Sequence, residues 1–261
     1  MLKKSPLIWF ALLSIVLLSA APASATNSDT AKEQRWAEQV VDGLLDGDAV
    51  WLLDDIGHEF LGILTEGEAR PGRAVILVHG IGVHPNWPDV IYPLREGLLA
   101  QGITSLSIQM PILENDADPR EYGLLFAEVP GRIDAALEYL DDQGYRDIVI
   151  VAHSMGSSMA SHYLAQTQSS AVLSVVLIGM GPGINGTENI ESLAKIGVPV
   201  LDLYGGRDLE QVLVSAASRA AAGEKIGAGK YRQISVPGAN HFFQGHEAEL
   251  VRHVIGWLEA R

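Results

Sequence analysis

The sequence predicts an α/β fold, a single domain built on a mainly parallel, doubly wound sheet with an antiparallel N-terminal edge. From Arg73 onward, short buried-type apolar runs alternate with amphipathic segments, which is the pattern of right-handed βαβ units. Only Gly179 to about Thr187 separate one predicted strand from the following helix, where a cap is often inserted. We therefore expect little or no cap domain.

The N-terminal part, residues 26–58, is predicted to contribute a helix and an edge strand. Residues 26–35 are polar, and apolar residues then recur at a spacing that predicts a helix with one face on the core: Trp36, Val40, Val41, Leu44 and Leu45. Gly43 and Gly47 end this helix. Two short strands, 49–53 and 60–64, follow and are expected to form the antiparallel edge.

Residues 59–261 are predicted to form the main domain, since no internal repeat or low-complexity tract interrupts the alternation. The predicted strands are 74–79, 104–109, 147–152, 172–178, 199–204 and 231–236. Helices are predicted near 92–101, 126–143, 155–167, 188–195 and 209–222, with a last amphipathic helix carrying Leu250, Val251, Val254, Trp257 and Leu258. The connecting loops 81–90, 111–125 and 181–188 are short, so we expect an open site.

Residues 1–25 have the pattern of a secretory signal peptide. Lys3 and Lys4 precede the apolar stretch from Leu7 to Leu18, and Ala23-Ser24-Ala25 provides a small-residue cleavage site before Thr26. A retained membrane anchor is the alternative, but the stretch is shorter than the roughly 20 residues that span a bilayer. We expect cleavage between Ala25 and Thr26, a periplasmic or secreted protein, and no membrane span after cleavage.

The composition excludes several classes of partner. The 261 residues include 32 acidic and 18 basic side chains, which gives a net charge of −14. Nucleic acids and anionic membrane surfaces are bound through clustered Lys and Arg, so we expect neither as a partner. The chain has no cysteine, which excludes disulfides and lipid attachment through a thiol.

The run from Val149 to Gly156 has the pattern of a nucleophile elbow. An apolar strand ends at Ser154, and Ala152 and Gly156 flank the serine at two residues on either side. Small residues are needed there because a strand that turns sharply into a helix brings backbone segments close together. The commoner pattern has glycine in place of Ala152, and a plain strand-to-helix turn is the alternative. The motif predicts acyl transfer through Ser154.

A serine nucleophile needs a base and an acid, and both follow later predicted strands. Ligands gather at the carboxyl ends of parallel strands, where Asp208 and His241 are found. Histidine is the side chain that accepts a proton readily near neutral pH, so His241 is the predicted base. Asp208 is predicted to hold its imidazole in one tautomer.

These assignments have alternatives. Asp202 lies within a predicted strand and is a rival acid, while Asp208 is also placed to cap the helix beginning near Leu209. His246 is close to His241, but helix capping or surface exposure suits its position better. His153 adjoins the nucleophile, but adjacent side chains on a turn diverge. His153 is therefore predicted to pack near the site rather than to act as the base.

We predict neither a metal nor a cofactor. His58, His84, His162 and His253 lack metal-ligand spacing, and the chain contains no His-Glu-x-x-His run. It also lacks a Gly-Lys-Ser/Thr phosphate loop and a dinucleotide fingerprint.

From Phe60 to Arg261 the chain resembles the α/β-hydrolase fold. Ala152-His153-Ser154-Met155-Gly156 is similar to the alanine-first elbow of small bacterial lipases. The segment from His79 to Arg95, with Asn240-His241-Phe242-Phe243, resembles an uncharacterised family of exported proteobacterial hydrolase-like proteins. The fold resemblance implies that the backbone N–H groups of Ile81 and Met155 form the oxyanion hole. Gly80 and Gly82 would bring the first of these close to substrate, or form an ordinary tight turn.

Aromatic residues near these motifs are candidates for an acyl pocket. Trp87 and Phe242 are expected to line it with Gly80, Gly82 and His153, although Trp87 is also placed to fix its own loop. Of Phe242 and Phe243, one is expected to pack against the sheet. The pocket would take a small-molecule or lipid-like acyl substrate.

The sequence thus predicts an exported serine hydrolase that cleaves a carboxylic ester or related acyl group through an acyl-enzyme. A catalytically weak or inactive envelope binding or assembly protein on the same fold is the alternative. Hydrolysis of peptides or amides would use the same triad. Serine at position 154 disfavours haloalkane dehalogenation, for which the related elbow carries aspartate.

Overall fold

The computed structural model describes residues 27–167, 169–186 and 188–261. Within them the strands are β1 Asp48–Leu53, β2 Glu59–Thr65, β3 Arg73–Val78, β4 Thr104–Ile108, β5 Asp147–His153, β6 Val172–Ile178, β7 Val200–Arg207 and β8 Tyr231–Asn240. The helices are α1 Thr30–Asp42, α2 Ile91–Leu99, α3 Val129–Asp142, α4 Met155–Gln166, α5 Glu188–Leu193, α6 Glu210–Gly223 and α7 Glu247–Glu259. Two 3₁₀ segments cover Pro119–Ala127 and Glu224–Ile226. The predicted signal peptide and its cleavage site at Ala25/Thr26 lie outside the described residues.

The strands form one mixed sheet in the order β1-β2-β4-β3-β5-β6-β7-β8. β1 pairs antiparallel with β2, and β2 antiparallel with β4. All pairings from β4 through β3 to β8 are parallel. The predicted fold class, a mainly parallel sheet with an antiparallel N-terminal edge, is confirmed.

Helices cover both faces of the sheet because successive side chains of a strand point to opposite faces. In β3, Ala74, Ile76 and Val78 join the core under α3 and α4. Val75 and Leu77 join the core under α2 and α7. The central strands are therefore buried on both sides, which explains their continuous apolar runs.

The leading helix α1 packs on β2, the second strand of the sheet, through Ala37 and Val40. The expectation that Val41 and Leu45 also pack on the core is wrong, since their exposed fractions are 39% and 87%. Val41 is rotated by about 100° from Val40 on a helix of 3.6 residues per turn, and Leu45 lies beyond the helix end at Asp42.

The last two strands run further than predicted, to Arg207 and Asn240. Gly205-Gly206 and Pro237-Gly238 indicate turns in the sequence, but these segments stay paired through a register shift that brings Arg207 opposite Asn240. A Cβ on Gly205 would clash with the Ala239 carbonyl oxygen, so only glycine permits this close pairing. The extension leaves Asp208 and His241 directly after two neighbouring strand ends.

In the described part of the chain, no helix combines the length and the apolar character needed to cross a membrane.

Candidate active site

Ser154 occupies a strained bend between β5 and α4. Its backbone has φ 56° and ψ −119°, a conformation that is costly for a residue with a side chain. A Cβ on Gly156 would lie 2.7 Å from the Val78 carbonyl oxygen and would also clash with that of His79. The neighbouring Ala152 is fully buried, so its methyl group is accommodated. The tight turn leaves the Ser154 side chain half-buried at the carboxyl edge of the sheet.

Hydrogen bonds connect the three residues predicted as nucleophile, base and acid. Ser154 Oγ lies 2.9 Å from His241 Nε2, and His241 Nδ1 lies 2.6 Å from Asp208 Oδ1. A carboxylate only accepts, so Nδ1–H is the donor and Nε2 is left to accept from the Ser154 hydroxyl. An imidazole in this tautomer is a proton acceptor for the serine.

Asp208 is held as an anion despite its burial. Burial raises the pKa of this carboxyl, but the hydrogen bond and charge of His241 outweigh it, together with the N–H groups of Leu209 and Gly205. The net effect is a pKa below the ordinary value. Leu209 N donates to Oδ1 at 2.7 Å and Gly205 N to Oδ2 at 3.1 Å. Asp208 thus contacts both the histidine and the backbone before α6, but it does not cap that helix, because the N-cap residue is Leu209 and no side chain caps it.

The predicted rival acid Asp202 has its own partners. It is fully buried, and its Oδ2 accepts from Arg219 Nε at 2.8 Å, from the Tyr231 hydroxyl at 2.8 Å and from Gln233 at 2.9 Å. The other histidine, His246, precedes α7 and lies 2.6 Å from Glu249 through its Nδ1. Neither side chain contacts the Ser154–His241 pair.

Gly179, directly after β6, is a site residue that the sequence reading missed. Its φ is +60°, and a Cβ there would lie 3.0 Å from both Nδ1 and Cε1 of the His241 ring. Three consecutive strands, β6, β7 and β8, therefore supply neighbouring parts of the site. The sequence does contain a pattern that indicates this position, because Gly179-Met180-Gly181 follows a predicted strand end, as the motifs with Ser154, Asp208 and His241 do.

His153 supports the backbone of His241. Its Nε2 lies 3.0 Å from the His241 carbonyl oxygen and donates to it, and the two ring centroids are 4.9 Å apart. Burial, assisted by the nearby His241, lowers the pKa of His153 to about 4. A neutral ring packed against His241 agrees with the predicted packing position.

The loop with the predicted oxyanion donor Ile81 is fixed by His79. The His79 Nδ1–H donates to Gly80 O at 2.8 Å, and Nε2 accepts from Met110 N at 2.9 Å. Burial lowers the pKa of His79 to about 3, so the ring is neutral. A Cβ on Gly80 would lie 3.3 Å from the Ser154 Cβ, which shows how closely this loop approaches the nucleophile.

A cavity of about 340 Å³ opens beside Ser154, Met155 and His241. Its apolar lining residues come from the 79–82 loop, the 3₁₀ segment, the loop after β6, and α6: Ile81, Pro119, Pro182, Ile184, Leu209 and Val212. Its polar lining consists of Arg120, Ser158, Asn189 and Gln211. The second predicted oxyanion donor, Met155, is the first residue of α4, where an N–H has no partner within the helix.

Several predicted pocket residues lie outside this cavity lining. Trp87 packs edge-on against Trp36 and His84, at centroid distances of 6.3 and 5.5 Å, which fixes its loop. Phe242 is 41% exposed and packs edge-on against His241 at 5.1 Å. Phe243 is fully buried in the core on the α2 and α7 face. Gly80, Gly82 and His153 do not line the cavity either; the two glycines shape the 79–82 loop, and His153 lies behind His241.

The remaining histidines have separate environments, and His58 Nε2 lies 3.1 Å from Glu33. Within the part of the chain that the structure covers, no group of three or more His, Cys, Asp or Glu side chains is arranged to hold a metal ion.

The sheet, its flanking helices and the serine at the bend define an α/β-hydrolase fold. Similar solved structures include a dienelactone hydrolase from Anabaena variabilis ATCC 29413, with 22% identity, a TM-score of 0.67, and coverage of 82% of this chain and 97% of that one. A cold-adapted esterase from an Arctic intertidal metagenomic library has 25% identity and a TM-score of 0.62, over 78% and 92%. Est1E from Butyrivibrio proteoclasticus has 15% identity and a TM-score of 0.63, over 82% and 98%.

The chain belongs to the family described as Protein of unknown function (DUF3530), which it matches over residues 6–130 and 124–260. A search among curated proteins found no match.

Proposed function

We propose that this protein is an exported serine hydrolase that cleaves a carboxylic ester through Ser154, His241 and Asp208. The observation that carries the proposal is the pair of hydrogen bonds, 2.9 Å and 2.6 Å, that join the three residues at a strained elbow. The likeness to an esterase and to a dienelactone hydrolase supports the reaction class.

In the first half of the reaction, Ser154 Oγ attacks the ester carbonyl carbon while its proton passes to His241 Nε2. The carbonyl oxygen becomes an oxyanion, and the backbone N–H groups of Met155 and Ile81 donate to it. The Asp208 carboxylate stabilises the imidazolium. The bond to the alcohol oxygen then breaks, that oxygen takes the proton from Nε2, and an acyl-enzyme remains on Ser154.

In the second half, water replaces the alcohol. His241 Nε2 accepts a proton from the water as its oxygen attacks the acyl carbon, and the same two N–H groups stabilise the second oxyanion. The bond to Ser154 Oγ breaks, and Oγ recovers its proton from Nε2. The products are a carboxylic acid and the free enzyme.

The cavity supports a small to medium-sized, largely apolar substrate group. Its volume of about 340 Å³ is at the lower end of the ~300–1,000 Å³ typical of ligand pockets. Ile184, Leu209 and Val212 provide apolar walls close to the serine. The proposed reaction uses no metal or cofactor.

Export is part of the proposal and rests on residues 1–25. If the signal peptide is cleaved as expected, mature protein purified from the periplasm or the medium begins at Thr26. A full-length protein recovered from the cytoplasm would contradict export without affecting the proposed chemistry.

Covalent labelling tests the nucleophile directly. A fluorophosphonate probe is expected to label the native protein and to fail on Ser154→Ala and His241→Ala, while His246→Ala, a control at the start of α7, labels normally. Folding of each variant is checked by circular dichroism. Absence of labelling in the native protein, or equal labelling of Ser154→Ala, would overturn the serine mechanism and favour the binding or assembly role.

Substrate class is tested with matched acyl compounds. Native protein that has not been exposed to the probe is assayed with a butanoate ester and with the corresponding amide, and we expect the ester to be hydrolysed faster. Faster turnover of the amide would replace the esterase proposal with amide or peptide hydrolysis.

A further inference from the structure

Two buried polar side chains interrupt the apolar wall of the cavity beside Ser154. Ser158 and Asn189 both line it, with exposed fractions of only 7% and 3%. Ser158 lies one helical turn after Ser154 on α4, and Asn189 lies on α5. The proposed ester hydrolysis makes no use of either side chain.

The Asn189 amide has a defined orientation. Its Nδ2 lies 3.0 Å from Gly181 O and 2.7 Å from Ser158 Oγ. A carbonyl oxygen only accepts, so the group facing Gly181 must be the NH₂. Both of its hydrogens are then used, and Asn189 Oδ1 has no hydrogen-bond donor among the described residues. This oxygen is an available acceptor at the cavity wall.

The Ser158 hydroxyl is correspondingly an available donor. Because Ser158 Oγ accepts from Asn189, its own hydrogen points elsewhere. Other buried serines of α4 donate to carbonyl oxygens, Ser157 to Ala152 and Ile178, and Ser161 to Ser158. The Ser158 hydroxyl has no such acceptor within the described part of the chain. A ligand group that pairs with both this donor and this acceptor gains two hydrogen bonds at the cavity wall, and an apolar group that covers them leaves both unpaired at a cost in free energy.

We propose that Ser158 and Asn189 form a binding site for a hydroxyl group of the substrate; this inference rests on the proposed esterase function and names its substrate class as hydroxylated esters. A hydroxyl accepts from Ser158 and donates to Asn189 Oδ1 at the same time. An ether or keto oxygen satisfies only Ser158, and a methyl group satisfies neither. Arg120, the cation at the cavity, is exposed and paired with Asp118, so the buried pair recognises a neutral group.

The spacing sets the position of this hydroxyl. Ser158 N donates to Ser154 O at 3.4 Å across the first turn of α4, so the Ser158 side chain lies about one helical turn, on the order of 5–6 Å, from the nucleophile. A hydroxyl on the second to fourth atom from the ester carbonyl carbon reaches this position. The hydroxyl belongs to whichever arm of the ester, acyl or alcohol, enters the cavity.

Two matched pairs of esters distinguish the arms. Ethyl 3-hydroxybutanoate is compared with ethyl butanoate, and 3-hydroxypropyl butanoate with propyl butanoate, by kcat/KM in a pH-stat assay. We expect the native enzyme to prefer the hydroxylated ester of one pair by about tenfold or more, which is the usual cost of leaving buried polar partners unpaired. Ser158→Ala is expected to reduce the ratio of kcat/KM values within that pair to below about twofold, through a lower kcat/KM for the hydroxylated ester.

The control is Ser161→Ala, which removes a hydroxyl from the same helix outside the cavity and is expected to keep the preference. Equal kcat/KM values within both ester pairs, or a preference that survives Ser158→Ala, would overturn the proposal.

Binding to Ser154→Ala separates this inference from the proposed chemistry. Calorimetric titration of this variant with the same esters is expected to show about tenfold tighter binding of the preferred hydroxylated ester, abolished by adding Ser158→Ala. If the native protein fails to react with the fluorophosphonate but this preference is found, the esterase proposal fails and the hydroxyl site stands. Equal binding within both pairs, or no binding of any ester, overturns the hydroxyl site itself.

Discussion

The ring of His241 packs against the bare backbone of Gly179, so closely that a Cβ at residue 179 would lie 3.0 Å from Nδ1 and Cε1. Nδ1 is the atom that donates to Asp208, at 2.6 Å. The glycine thus forms one wall of the slot that holds the imidazole between the carboxylate and Ser154. The end of β6 contributes to the site through the absence of a side chain.

Replacing Gly179 by alanine is therefore expected to displace the imidazole. The new methyl group would push the ring away from Asp208 or Ser154, and misplacement of a catalytic group by about 1 Å can cost about 100-fold in rate. We expect kcat/KM for an ester to fall about 10- to 100-fold with the fold intact. Gly144→Ala is the control, since Gly144 has φ +89° and no heavy atom within 4 Å of its Cβ position. Equal losses in both variants would mean that backbone strain, rather than the ring contact, is responsible.

Two aspartates are distinguished by their asparagine variants. Asp208→Asn offers an amide to Nδ1 and removes the charge that stabilises the imidazolium, so we expect a loss of about 10³- to 10⁴-fold in kcat. Asp202→Asn weakens a fully buried pair with Arg219 and is expected to lower the midpoint of urea unfolding while folded protein retains its turnover. Rate assays and urea curves on both variants check this. A large loss of turnover from Asp202→Asn alone would reverse the assignment of the acid.

Stability is expected to fall as the solution is acidified from pH 6.5 to about 4. Burial lowers the pKa of His79 to about 3 and that of His153 to about 4, from an ordinary 6.5. In this window the unfolded chain binds protons that the folded chain does not, so protons favour unfolding. Each histidine contributes a slope of up to about 1.4 kcal/mol per pH unit.

The measurement is the free energy of urea unfolding at several pH values, for the native protein and for His153→Gln. Glutamine retains a donor for the His241 carbonyl oxygen but does not titrate, so the variant is expected to have a shallower slope. Identical slopes would show that His153 does not contribute to the pH dependence.

The alternation of apolar strands and amphipathic helices was sufficient to predict the fold, because strands such as β3 are buried on both faces and carry no polar interruption. The order of Ser154, Asp208 and His241 also located the three side chains that the structure brings together. Strand-end positions are readable from sequence because parallel strands place their carboxyl ends at one edge.

Other features were not predictable because they depend on contacts between distant segments. Gly205-Gly206 and Pro237-Gly238 indicate turns locally, yet β7 and β8 continue through them, with a register shift between the Gly205–Val236 and Arg207–Asn240 pairs. Trp87 is a large aromatic residue of the kind that lines apolar pockets. It packs instead against Trp36, which lies 51 residues earlier in the chain. The pairing of Ser158 with Asn189 has no sequence signature, since only the packing of α5 on α4 brings the two side chains together.

A buried ionic network joins the N-terminal segment to the main domain. Arg132 of α3 is fully buried, its Nη2 lies 2.9 Å from Glu33 of α1, and its Nε lies 3.5 Å from Asp54 after β1. Its Nη1 also donates to Gln109 O at 3.2 Å, and the guanidinium carbon lies 4.6 Å from the centre of the Phe60 ring. One side chain therefore contacts three separate parts of the chain.

Replacing Arg132 by methionine is expected to lower the free energy of unfolding by about 3–5 kcal/mol, because Glu33 and Asp54 would remain buried without the guanidinium that pairs with both. Urea unfolding followed by circular dichroism measures this change. Arg146→Met is the matched control, since Arg146 forms an exposed pair with Asp141 at 2.6 Å, of a kind that contributes about 0–1 kcal/mol. If Arg132→Met unfolds at the same urea concentration as the native protein, the ionic network does not hold α1 on the domain. The apolar contacts of Ala37 and Val40 with β2 would then hold the helix in place.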